Sequence, residues 1–160
     1  MGASTHSYVI AMGSNMRVPK VGGPRRVLAA AAEILEERKI AVLEMSRVIS
    51  STPVGPSQRR YANAAALVET TLAPTCMLRE LQSVEREFGR KKAGARWRAR
   101  QLDLDIILWS GGMWLSPGLM IPHPHFRRRS FVLGPAEEVA PRWRDPVSGL
   151  TIRQIAGRGA

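Results

Sequence analysis

Gln101-Leu102-Asp103-Leu104-Asp105-Ile106-Ile107-Leu108 is the stretch whose reading decides the fold. Apolar and polar residues alternate through it, and side chains along a β-strand point to opposite faces with period two. As a strand, it turns Leu102, Leu104, Ile106 and Leu108 into a core and sets Asp103 and Asp105 side by side on the other face. A turn at Ser110-Gly111-Gly112 leads from it to a short strand at Met113–Leu115. Upstream lies a polar, basic loop from Arg90 to Arg100, preceded by a helix that opens at Pro74. That helix carries an apolar stripe of Met77, Leu78, Leu81, Val84 and Phe88, and Gly89 stands where a glycine following a helix belongs.

Further out, Tyr61–Thr71 reads as a strand, and Ser50–Arg60 as a loop with two prolines and a glycine. Ile40–Ile49 is a single β-rich segment. Gly22-Gly23-Pro24 opens a helix with Val27, Ala31, Ile34 and Leu35 on its buried side. Ser7–Met12 is a first strand running into the turn Gly13-Ser14-Asn15. After Pro117 the chain is punctuated by proline, with short helices expected near Pro135–Val139 and Thr151–Ala156. Two substantial helices among hairpin-linked strands predict an α+β fold, a mostly antiparallel sheet with packed helices, rather than a doubly wound parallel sheet.

The chain of 160 residues suits one domain over 1–160, with 1–6 expected to be disordered. Hydrophobic residues, at 44%, can fill a core, yet no apolar run is long enough for a membrane span. The N-terminus lacks the basic-then-apolar order of a secretory signal. A lone Cys76 can form no internal disulfide, so a cytoplasmic location is the default. The 24 Lys and Arg against 13 Asp and Glu give a net charge of +11, which suits polyanionic partners, although on charge alone a solvated basic surface is the better reading.

Two carboxylates side by side repel unless a cation lies between them, and magnesium is usually bound by one or two carboxylates plus water and substrate phosphates. A solvated acidic strand face gives the same pattern. Arg100 beside the pair makes a nucleotide-phosphate site the sharper reading. The glycine-rich phosphate loops and the protein-kinase signatures are absent, and no Cys/His cluster has zinc spacing. Gln82 and Glu85 share a helix face, which alone suits ordinary solvated positions. His123 and Arg129 lie in a basic turn, where they could meet phosphate charge. Asn63 could pair with the edge of a flat heterocycle, and Tyr61, Trp97 and Phe131 could stack on its faces or simply pack in the core.

Taken together, four segments resemble the 6-hydroxymethyl-7,8-dihydropterin pyrophosphokinase family in order and spacing. They are YVIAMGSN from Tyr8, STPVGPSQRRYANAA from Ser51, LQSVEREFGRKKAGARWRARQLDLDIIL from Leu81 and PHPHFRRRSFVLGPAEEVAP ending at Pro141. The resemblance implies a ferredoxin-like fold with three flexible active-site loops, after Gly13, between Ser50 and Arg60, and between Arg90 and Arg100. It implies transfer of diphosphate from ATP to the hydroxymethyl group of the pterin, with two magnesium ions on Asp103 and Asp105. By the same resemblance, Arg90, Lys92 and Arg100 would join those aspartates in catalysis. Gln82, Glu85, Arg90, Lys92, Arg100, Ile106, His123 and Arg129 would line the ATP side. Thr52, Pro53, Val54, Tyr61, Asn63 and Phe131 would line the pterin side, with Tyr61 or Trp97 facing Phe131 across the ring. Arg96 and Trp97 sit on a lid-like loop, in which Arg98-Ala99 stand where the family often has Gly-Pro. A monomer with no nucleic-acid or membrane partner is expected. The rival is a basic nucleic-acid-binding module, whose binding would weaken steeply with salt.

Overall fold

The computed structural model describes residues 4–51, 61–89 and 101–158. The elements run β1 (His6–Ser14), α1 (Pro24–Glu37), β2 (Ala41–Met45), β3 (Ile49–Ser51), β4 (Tyr61–Thr70), α2 (Pro74–Gly89) and β5 (Asp103–Trp109). A hairpin of β6 (Trp114–Ser116) and β7 (Leu119–Ile121), a 3₁₀ turn (Phe126–Arg128), α3 (Ser130–Val139) and α4 (Ile152–Arg158) follow. The main sheet has the order β2-β4-β1-β5, all antiparallel, with β3 extending the pairing along β4. This strand order, with α1 and α2 as the two connections, is the expected ferredoxin-like α+β arrangement.

Helices cover both faces. On the first, Tyr8, Ile10 and Met12 of β1, Ala64, Ala66 and Val68 of β4 and Leu104 and Ile106 of β5 meet the buried stripes of α1 and α2. The alanines of β4 make this close approach possible. Set between the large side chains of β1 and those of the helices, small residues on β4 let the layers interlock at interior packing density. On the second face, Val9, Ala65, Ile107 and Leu108 pack against Phe126, Val132, Leu133, Ala136, Val139, Ile152 and Ile155.

The structure departs from the sequence expectations at definite places. Leu108 belongs to the second face, not the first. Val9 pairs with Leu108 while Ile10 pairs with Ile106, so a bulge at Ile107 reverses the alternation. Ile40–Ile49 breaks into two strands at Ser46, whose backbone N–H and hydroxyl both bond the backbone of Ala65. Gly89 is the last residue of α2, and Pro135 lies inside α3 rather than opening it. The apolar residues of α3 (Val132, Leu133, Ala136, Val139) hold that helix against the sheet despite the hydrogen bond a proline forfeits. Disorder over 1–6 fails at His6, which begins β1. Its ring stacks on Trp109 and its Nδ1 accepts the indole N–H at 3.1 Å. The loop after Gly13 contains a tight turn in which Val18 and Gly22 exchange backbone hydrogen bonds of 2.9 Å.

Candidate active site

The second face of the sheet is covered by α3 over only part of its length. Beyond the start of that helix, pairing aligns Asp103, Gly13 and Asn63 in one row across β5, β1 and β4, with Asp105, Ala11 and Ala65 in the next. These rows floor a cavity of about 400 Å³ whose walls include Ser51, Tyr61, Arg129 and Phe131. Asn63 is 6% exposed and its Nδ2 donates to Ser51 Oγ at 2.7 Å. Asp103 is half-buried and Asp105 exposed. The guanidinium of Arg129 lies 5.9 Å from the centre of the Phe131 ring.

β5 ends the main sheet, so one row of its backbone groups has no neighbouring strand. A sheet edge left open is a liability that proteins cover. Here Leu104 N–H donates to Glu85 Oε2 at 2.7 Å, and the carbonyl of Ile107 accepts from His123 N–H at 3.0 Å. α2 and the segment carrying His123 thereby fix the strand that bears both aspartates. A second groove, of about 430 Å³, opens along this edge between Leu78, Asp105, Ile106, Leu115 and His123. Asp105 lines both spaces.

His123 is half-buried. Burial lowers its pKa below the usual imidazole value; Asp105 opposes this, while Arg129 and His125 lower it further. The ring is therefore neutral at neutral pH. Its Nδ1 accepts from His125 N–H at 3.1 Å, which leaves the proton on Nε2. Gln82 is exposed on α2. Thr52, Pro53, Val54, Arg90, Lys92, Arg96, Trp97 and Arg100 lie outside the described residues.

The sequence and the fold both match known proteins. The model of the 7,8-dihydro-6-hydroxymethylpterin-pyrophosphokinase family matches residues 9–141. The chain belongs to that family. The 2-amino-4-hydroxy-6-hydroxymethyldihydropteridine pyrophosphokinase of Synechocystis sp. is 36% identical over 152 residues, 94% of this chain and 74% of its own. The enzyme of the same name from Pseudomonas aeruginosa is 39% identical over 138 residues, 86% of this chain and 82% of its own. In fold, Plasmodium falciparum HPPK-DHPS crystallised with pteroate superimposes with a TM-score of 0.72 at 14% identity. This chain covers 43% of that longer one and is itself 99% covered. Among the described residues no helix is long and apolar enough to cross a membrane.

The chain thus has the pyrophosphokinase activity of folate biosynthesis, and in its fold Asp103 and Asp105 line the first cavity while Asp105 also lines the second groove. Among the described residues no group of three or more His, Cys, Asp and Glu gathers as a metal site. A pair of carboxylates facing open space fits an ion completed by substrate oxygens, the usual way magnesium is held.

Several lining residues escaped the sequence reading. Gly13 floors the first cavity and Ser51 stands in its wall, and Leu78 and Leu115 wall the second groove. Leu78 was expected as one more residue of the buried stripe of α2. Only the sheet register and the position of the β6–β7 hairpin reveal these roles.

Proposed function

We propose that this pyrophosphokinase moves the terminal diphosphate of ATP onto the hydroxymethyl oxygen of 6-hydroxymethyl-7,8-dihydropterin and releases AMP. The observation that carries the reading is that two clefts of different character meet at Asp105. The first suits a flat heterocycle: Asn63 offers an amide to a ring edge, and Tyr61 and Phe131 offer faces. The second suits a nucleotide, with apolar walls from Leu78, Ile106 and Leu115 and a hydrogen-bond donor at His123. Phosphates reaching from one to the other pass over Asp103 and Asp105.

Asp103 and Asp105 would hold magnesium, two ions by the family resemblance. When bound, the metal neutralises phosphate charge and polarises the phosphoryl oxygens. The protein's own part is positioning. The pterin hydroxyl is held in line with the β-phosphorus. As the new oxygen–phosphorus bond forms, the hydroxyl proton passes to solvent water and the bond to the α-phosphate bridging oxygen breaks, so AMP departs with that oxygen. Arg129 faces the transferring charge, and neutral His123 donates from Nε2 without adding a proton to the phosphates. Arg90, Lys92 and Arg100 add positive charge from the segment that precedes β5 in the chain.

The test is incubation with ATP, 6-hydroxymethyl-7,8-dihydropterin and magnesium, with nucleotide products resolved by chromatography. AMP and a pterin diphosphate are expected in equal amounts, and chelation of the metal should stop both. Formation of ADP and a pterin monophosphate would overturn the reading.

A further inference from the structure

We propose that Asp145 and Arg127, which lie outside both clefts, form a clamp that positions His123 and Arg129 for the nucleotide. The inference rests on the reading that these two residues meet ATP. His123 walls the nucleotide groove and Arg129 walls the heterocycle cavity, so the segment between them spans the junction of the two spaces. Its own hydrogen bonds are long. Phe126 N–H reaches the His123 carbonyl at 3.4 Å, Arg128 N–H reaches that of His125 at 3.2 Å, and Arg129 N–H reaches that of Phe126 at 3.3 Å. Bonds of this length hold a turn weakly.

The segment's two ends are tied, His123 N–H to the Ile107 carbonyl at 3.0 Å and the Arg129 carbonyl to Val132 and Leu133 N–H at 2.9 Å. Between those ends the firm hold comes from behind. Phe126 is fully buried in the second core. Arg127 donates Nε and Nη2 to the two oxygens of Asp145 at 2.6 and 2.8 Å, a fork that fixes direction as well as distance. The same guanidinium sits 4.7 Å from the centre of the Phe126 ring. Asp145 is itself immobilised. It is fully buried, and its carboxylate also accepts from Ser148 Oγ at 2.7 Å and Val147 N–H at 3.0 Å. Burial alone would raise its pKa. The hydrogen bonds from Arg127, Ser148 and Val147, with the guanidinium charge, outweigh that and hold it at about 2. The carboxylate therefore stays ionised, and the fork intact, well below neutral pH.

A buried ion pair is weak evidence for stability, because an apolar pair of similar volume often serves the fold as well. Its distinct capacity is to fix register. Arg127 stands four residues after His123 and two before Arg129. A shift of the fork therefore moves both groups at once, and errors of about 1 Å in positioning can cost roughly a hundredfold in rate.

The experiment uses the full chain with Asp145→Asn, Arg127→Lys and the double variant, assayed well below the Tm of each. Asp145→Asn keeps the shape of the carboxylate, and Arg127→Lys keeps the charge while removing the fork. We expect kcat/KM for ATP to fall about tenfold in each single variant, with KM for the pterin within about twofold of wild type. The double variant should lose no more than the worse single one, as parts of one device do. Folded variants with wild-type kcat/KM for ATP would refute the clamp, as would equal losses toward both substrates that track the drop in Tm. Asp105→Asn runs in parallel. If it abolishes turnover while the clamp variants stay unaffected, only the clamp falls. If Asp105→Asn turns over normally, the site reading falls and takes the clamp with it.

Discussion

The two faces of the sheet are made by alternate residues of the same three strands, yet they do different work. The α1–α2 face is apolar through its whole middle: Tyr8, Ile10 and Met12 on β1 stand beside Ala64, Ala66 and Val68 on β4 and Leu104 and Ile106 on β5, with polar residues such as Ser14 and Thr70 only at the strand ends. The α3–α4 face is apolar only where Val9, Ala65, Ile107 and Leu108 lie beneath the helices. Past the first turn of α3 it changes to Gly13, Asn63, Asp103 and Asp105. A helix that begins at Ser130 leaves part of a sheet face uncovered, and that uncovered part can carry charge without the cost of burying it. One face therefore supplies the core, and the other divides itself between core and chemistry.

The sharpest way to break this division is at Asp105. Its carboxylate is exposed and sits beside a like charge, so the fold has little use for it. We expect Asp105→Ala to cut AMP release about a thousandfold, some 4 kcal/mol of transition-state stabilisation. Stability should change by no more than about 0.5 kcal/mol. Parallel rate assays and thermal melts decide the matter. A large fall in Tm would mean that the acidic row is structural and that the contrast between the faces is misdrawn.

The converse variant lies on the other face. Leu35 is fully buried near the C-terminal end of α1, where it meets the first core rather than either cleft. Leu35→Ala should cost about 3 kcal/mol of stability, the usual loss for truncating a buried leucine. At a temperature where the variant stays folded, kcat should match wild type. Denaturant melts and turnover measured side by side would expose any leakage between the faces, since a lowered kcat in folded protein would show that the first core also tunes the site.

This division was legible in the sequence as far as alternation held. Leu102, Leu104 and Ile106 face the first core with Asp103 and Asp105 opposite, as period two requires. Legibility ends at Ile107-Leu108. Two adjacent apolar residues carry no mark of a bulge, and only the shift in pairing with Val9 and Ile10 creates it. Asn63, Tyr61 and Phe131 were expected together and line one cavity; Arg129, expected on the ATP side with His123, lines that same cavity instead of the second groove. Glu85 was expected beside ATP, and one of its oxygens caps the backbone of Leu104 on the edge strand. That bond depends on the distance between α2 and β5, which spacing along a helix does not encode. Asp145, between Arg144 and Pro146, drew no expectation from the sequence, because its grip on Arg127 spans 18 positions.

The finest test of the contrast is Gly13, the residue at which the second face turns from core to cavity floor. A methyl group placed there would lie 3.5 Å from Asn63 Oδ1 and 3.6 Å from the Tyr61 ring, ordinary contact distances. The fold therefore has room for alanine, and a strand gains a little from losing a glycine. What the methyl takes is height above the floor, between Asp103 and Asn63, where the heterocycle is proposed to lie. Gly13→Ala should leave Tm unchanged or slightly raised. It should raise KM for the pterin about fivefold, roughly 1 kcal/mol, with KM for ATP unaffected because the nucleotide groove lies across β5. Titration of each substrate at saturating levels of the other separates the two. An equal rise in both constants would mean that the strand itself had moved. A wild-type pterin KM would place the ring higher in the cavity, resting on Tyr61 and Phe131 and not on the strand beneath.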